Sequence, residues 1–172
     1  MVELIAQADE TGLAASGLAC LDRCVPLLGG DDQVLRPLWV SLADGAPWDG
    51  ALADVREALA SGASGASGGA GGDAAALALR MLDAVPAQRS AASLRPWADG
   101  CSAAALQIHR LLDGTEEGVS PLVSAELRRQ VRVLELLGAG GGLRQALAVS
   151  TEGRRVLQAV VSRSKRVRTS AS

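Results

Sequence analysis

Tyrosine, phenylalanine and asparagine are absent from this chain of 172 residues, and histidine and lysine occur once each, as His109 and Lys165. Without Phe or Tyr the chain cannot build an aromatic-rich β-sandwich, nor the aromatic platform on which RNA-binding sheets stack bases. A single imidazole leaves few side chains suited to acid–base work at neutral pH. The three cysteines, Cys20, Cys24 and Cys101, are an odd number and too few for a disulfide framework at this length. Reduced thiols in a cytoplasmic setting are expected. The start, Met1-Val2-Glu3-Leu4-Ile5, lacks the basic opening of a secretory signal. No uncharged apolar run approaches the ~18 residues that span a bilayer, so no membrane span is expected.

What is present is alanine and leucine, together about a third of the chain, with 48% hydrophobic and 21% charged residues. The length suits a single domain with a real core. The formal net charge of −2 conceals an uneven distribution. Residues 1–150 carry eleven bases against eighteen acids, whereas 151–172 carry six bases against one acid. An acidic body therefore bears a basic end.

The apolar spacing is helical throughout, and no run of alternating β-branched residues suggests a strand. In the first segment, to about Leu28, Leu13, Gly17, Cys20, Leu21, Cys24 and Leu28 share a stripe; one helix and two helices broken near Asp9–Gly12 fit equally. Pro26 and Gly29-Gly30 stop it. Asp31 or Asp32 is placed to cap a second helix bearing Leu35, Leu38, Trp39 and Leu42, with Pro37 in its first turn. Asp49 can cap a third through Leu52, Val55 and Leu59. Residues 61–72, SGASGASGGAGG, have no large side chain and read as a flexible linker. Asp73 is placed to cap a helix ending at Pro86. Trp97, Cys101, Ala104, Ile108 and Leu111 form the cleanest stripe in the chain. Ser120-Pro121 opens a helix with Leu127, Val131, Leu134 and Leu137 inward and Gly138 as its stop. Beyond the Gly140–Gly142 hinge, Leu143, Leu147, Leu157 and Val161 make a last stripe, interrupted by Ser150 and Gly153.

The fold expected is all-α: a single domain, 1–172, forming a bundle of about six or seven helices. Its parts are a first half (1–60), the linker (61–72), a second half (73–114), a C-terminal helical pair (120–165) and a disordered tail (166–172). The halves share an order of motifs. Leu21-Asp22, Val25-Pro26, Leu35-Arg36-Pro37 and Ala43-Asp44-Gly45 are answered by Leu82-Asp83, Val85-Pro86, Leu94-Arg95-Pro96-Trp97 and Ala98-Asp99-Gly100. An ancient duplication and chance recurrence in an Ala/Leu-rich chain both account for this order.

Chemistry is sparse. Cys20 and Cys24 stand one helical turn apart, as a metal pair would, but buried packing is the commoner fate of cysteine. Cys101 and His109 are ~12 Å apart along a continuous helix, too far for one tetrahedral ion. His109 could pair at the surface with Asp113, one turn later. The glycine clusters lack the Lys-Ser/Thr of a phosphate loop. No catalytic, metal or cofactor site is expected. The residues singled out for contact with an anion or partner are Arg154, Arg155, Arg163, Lys165, Arg166 and Arg168.

The function expected is a non-catalytic helical interaction or scaffold protein, a homodimer that covers surplus apolar helix faces against a second copy or a protein partner. The alternative is a nucleic-acid-associated regulatory protein using its basic C-terminal helix. A third reading, an enzyme or small-molecule binder with a pocket between the halves, depends on convergence of Cys20, Cys24, Cys101 and His109.

Overall fold

The computed structural model describes residues 1–63, 69–114, 120–140 and 142–170. Among the described residues there are eight α-helices and no strand. They are α1 (Val2–Gln7), α2 (Glu10–Cys24), α3 (Arg36–Ala43), α4 (Asp49–Ala63), α5 (Ala70–Asp83), α6 (Ala91–Asp113), α7 (Pro121–Gly138) and α8 (Leu143–Ser170). The all-α bundle follows as read. The first segment is two helices, divided at Ala8-Asp9, where the Asp9 side chain accepts the Gly12 amide at 2.7 Å and caps α2.

α2 is the axis of the molecule. From Gly12 to Cys24 every residue is buried, and α2 packs most extensively against α6 and α8, then α7. The stretch Glu10–Leu28 has the length and mean hydropathy (1.2) of a membrane-crossing helix, and 89% of it is buried within the bundle. Its apolar character is therefore used in packing. Small residues let neighbours approach: the Trp97 indole of α6 lies directly against Gly17, where a Cβ would collide with the ring. Trp97 Nε1 donates to the Met81 carbonyl at 3.0 Å, and its ring meets Trp48 edge-on at 6.1 Å between centroids. Trp48 in turn donates to the Pro86 carbonyl at 2.9 Å and lies under Arg89. Trp97 and Trp48 together fill the corner after α5.

Several boundaries differ from the sequence reading. Asp31 does not cap α3; its carboxylate accepts the Gln33 amide at 2.8 Å in a preceding turn, and α3 starts at Arg36 with Pro37 in its first turn. Asp73 lies inside the first turn of α5, whose N-cap is Gly69 at φ 84°. The expected linker is thereby shortened, since 61–63 belong to α4 and 70–72 to α5; its centre, 64–68, lies outside the described residues. Gly138 is the last residue of α7, and Gly140, at φ 74°, takes the left-handed position that ends it. Residues 166–170, expected as a tail, continue α8; residues 171–172 lie outside the described residues. The two Leu-Arg-Pro motifs also sit differently: Pro37 is in the first turn of α3, while Pro96 is inside α6.

The C-terminal pair is part of the bundle. Both α7 and α8 pack on α2 and on each other. The apolar stripes are consumed within one chain: of the large hydrophobics described, only Val40 (48%) and Leu127 (40%) are exposed. The surplus apolar face that motivated a dimer is therefore reduced to two separate positions.

A buried ion-pair network and an arginine-rimmed pocket

α7 turns an unexpected face inward. Its buried residues are Glu126, Gln130, Val133 and Leu134, while Leu127, expected inward, is exposed and Val131 only half-buried. The cause is charge. Arg23 on α2 is fully buried and reaches Glu126, also fully buried, through two parallel bonds: Nε to Oε2 at 2.8 Å and Nη2 to Oε1 at 2.6 Å. A guanidinium taken out of water must meet a carboxylate, and this need overrides the leucine stripe. Gln130 completes the site, donating to Glu126 Oε1 at 2.9 Å and accepting the Ser102 hydroxyl of α6 at 2.7 Å.

His109 belongs to this network and makes no surface pair with Asp113. It is 2% exposed; its Nδ1–H donates to the Ala105 carbonyl at 2.8 Å, and Nε2 lies 3.7 Å from Glu126 Oε2. Burial alone would raise the Glu126 carboxyl; the charge and bonds of Arg23, with His109 and Gln130, outweigh it and hold the carboxyl below its usual range. The cysteines are buried and free. Burial pushes the Cys20 thiol up to about 12, despite the Arg23 guanidinium beside it, and raises Cys24 and Cys101 also. These are packed thiols held in the form least able to ligate or attack. Among the described residues no group of three His, Cys, Asp or Glu is placed to hold a metal ion.

A second network starts one residue earlier. Asp22 accepts Arg154 Nη1 of α8 at 2.8 Å, and Arg154 Nε lies 3.2 Å from Asp32 Oδ1. Arg154, expected in an exposed basic run, is 5% exposed. Burial raises the Asp22 carboxyl to about 6, with Asp32 adding to the rise and Arg154 and Arg23 opposing it. The inward face of α8 is Ala146, Ser150, Gly153, Arg154 and Leu157. Ser150 and Gly153, which interrupt the stripe in sequence, are thus its buried centre. At Gly153 an added Cβ would fall on Arg23 Cδ.

This second network is one end of a pocket of about 550 Å³. Asp22, Asp32, Gln33 and the α3 residues Arg36, Trp39, Val40 and Ala43 line one side. Leu143, Arg144, Leu147, Thr151, Arg154 and Arg155 of α8 line the other. Such a volume is in the range of small-molecule sites. Three buried polar atoms on lining residues, Asp22 Oδ2, Trp39 Nε1 and Arg154 Nε, have no hydrogen-bond partner among the described residues, although Arg154 Nε is ion-paired with Asp32.

Of the six basic residues singled out by sequence, the structure brings Arg154 and Arg155 to this pocket. Arg163 and Arg166 are exposed further along α8, and the side chains of Lys165 and Arg168 lie outside those described. Unforeseen were Asp22, Arg23, Arg36, Trp39, Ser102, Glu126, Gln130 and Arg144. One sign was available: Asp22-Arg23 stand as adjacent charges inside the most apolar segment of the chain. No family model, no curated protein and no solved structure matches the chain.

Proposed function

We propose that this chain is a non-catalytic helical interaction protein whose working surface is the pocket between α3 and α8. The observation that carries the reading is the pocket's composition. It gathers four of the chain's arginines, Trp39 and the exposed Val40 in one concave site. Its two carboxylates, the buried Asp22 and the exposed Asp32, are both tied to Arg154, which suits holding a partner better than transferring a proton. This face replaces the broad apolar stripes expected from sequence, and any self-association would centre on it.

The test is native mass spectrometry of the chain recovered gently from its own cell. Added mass on the wild type, lost in Val40→Asp with Arg155→Glu while helicity by circular dichroism is unchanged, supports the reading. A dilution series separates a second copy from another molecule. Equal added mass on both proteins rejects the α3–α8 face.

A second reading has its own observation. Arg128 and Arg132 of α7 are exposed on the helix that packs beside α8, which presents Arg155, Arg163 and Arg166. A nucleic-acid contact along these helices would weaken steeply with salt. Truncation is a poor probe of it, because Leu157 is fully buried. Reversal of Arg128, Arg132 and Arg163 to glutamate should abolish salt-sensitive binding to duplex DNA, and binding unchanged by the reversal rejects this reading.

A further inference from the structure

We propose that the α3–α8 pocket binds a small organic anion, with a carboxylate or phosphate group among Arg36, Arg144 and Arg155 and an apolar body against Trp39, Leu143 and Leu147. This rests on the reading of that face as the working surface and gives its ligand a chemical class.

Charge comes first. Arg154 is engaged by both aspartates of the pocket, Asp22 and Asp32. Arg36, Arg144 and Arg155 are exposed and form no ion pair among the described residues; the Arg36 guanidinium donates only to the neutral Gln33 side chain, at 3.1 Å. With all of these groups ionised, four guanidiniums against two carboxylates leave the pocket with two positive charges, in a chain whose net charge is −2. Like charges gathered at one concavity repel, and an entering anion relieves that repulsion. The pocket runs along α8 from Leu143 to Arg155, and its Leu143–Arg144 end lies at the first turn, where the helix dipole favours negative charge.

Hydrogen bonding gives a second, independent indication. Trp39 is 4% exposed, and its indole N–H has no acceptor among the described residues. The other two tryptophans both donate to backbone carbonyls. A buried indole donor normally finds a partner, so an oxygen of a bound group is the natural acceptor here. The apolar wall is the third element. Leu143 and Leu147 are half-buried beside Trp39, so a bare inorganic anion would leave this wall unused.

The test follows the three tryptophan indole N–H signals by ¹H–¹⁵N correlation spectroscopy, with Trp39 assigned from Trp39→Phe. Four probes separate the components: octanoate, octyl phosphate, octanol and inorganic phosphate. Octanoate or octyl phosphate should move the Trp39 signal saturably while the Trp48 and Trp97 signals stay, and the tighter of the two identifies the head group. Octanol and phosphate should bind at least about tenfold more weakly, the loss expected when one charge-assisted contact or the apolar body is missing. Arg144→Gln with Arg155→Gln should weaken octanoate and octyl phosphate by a similar factor or more. No saturable change at Trp39 with either amphiphilic anion, equal binding of octanol, or equal binding by the double variant would each overturn the proposal. If the amphiphiles fail while Val40→Asp with Arg155→Glu still removes the mass acquired in the cell, the ligand class is wrong and the surface stands.

Discussion

Gly153 of α8 lies where the aliphatic stem of Arg23 crosses from α2, and a methyl group there would occupy the place of Arg23 Cδ. In an open helix, glycine to alanine stabilises by ~1 kcal/mol. Here Gly153→Ala must displace a buried guanidinium from its carboxylate or push two helices apart, and overpacking costs ~1–3 kcal/mol before any ion-pair loss. The expected outcome is net destabilisation in urea unfolding. A Gly153→Ala protein as stable as the wild type would show that Arg23 has room to move.

The Arg23–Glu126 pair should behave as a unit. Glu126→Leu alone leaves a fully buried guanidinium unpaired and should cost ~3–5 kcal/mol. Arg23→Met in the same protein should return most of that loss, because two apolar side chains satisfy the site without desolvating a charge. A double-mutant cycle by chemical denaturation measures the coupling. Additive single effects would contradict a mutually dependent pair.

The pH dependence has two parts of opposite sign. Asp22 has a folded pKa of about 6, above the 3.8 of a free aspartate, so the fold binds its proton more tightly than the unfolded chain does. Its stabilising contribution is full below pH 3.8 and is lost as pH rises through about 6. Glu126, held below 4.5, contributes stability above that pH and loses it as pH falls through its folded value. Urea midpoints should therefore show the wild type losing stability relative to Asp22→Asn as pH rises from 4 to 7. A constant difference would show that Asp22 titrates normally.

The tryptophans should differ in the cost of losing their N–H. Trp97→Phe removes a buried hydrogen bond to the Met81 carbonyl and leaves that acceptor unmatched, whereas Trp39→Phe removes a donor with no partner. Thermal unfolding should show Trp97→Phe to be more destabilising by at least ~1 kcal/mol. Equal costs would imply an acceptor for Trp39 in the folded protein.

The helices were legible because 3.6-residue periodicity and Gly/Pro stops are local signals, and the stripe from Trp97 to Leu111 runs within α6 as expected. The site was not legible, for a physical reason. Hydrophobic pattern assigns the inward face of α7 to Leu127 and Val131, and only a charge a hundred residues away makes Glu126 and Gln130 the inward pair. Likewise Gly153 looks like a defect in an apolar stripe until Arg23 is seen to occupy the space it leaves, and the buried Ser150 hydroxyl is satisfied by donating to the Ala146 carbonyl. The basic C-terminal run was read by composition alone, which cannot separate the buried Arg154 from the exposed Arg155 beside it. Arg36 stands in the Leu35-Arg36-Pro37 motif, which signals a helix start, and Arg144 follows the Gly140–Gly142 hinge; neither signal points to a ligand, and only the packing of α3 near α8 brings the two to one pocket.

Two neighbouring charges on α2 find their counter-ions 103 and 132 positions downstream. Arg23 therefore stays unpaired until Glu126 has been synthesised, and Asp22 until Arg154 has, and until then burying α2 is unfavourable. Synthesis and compaction of this core should be separated in time, with α8 acting as the latch that lets α2 settle.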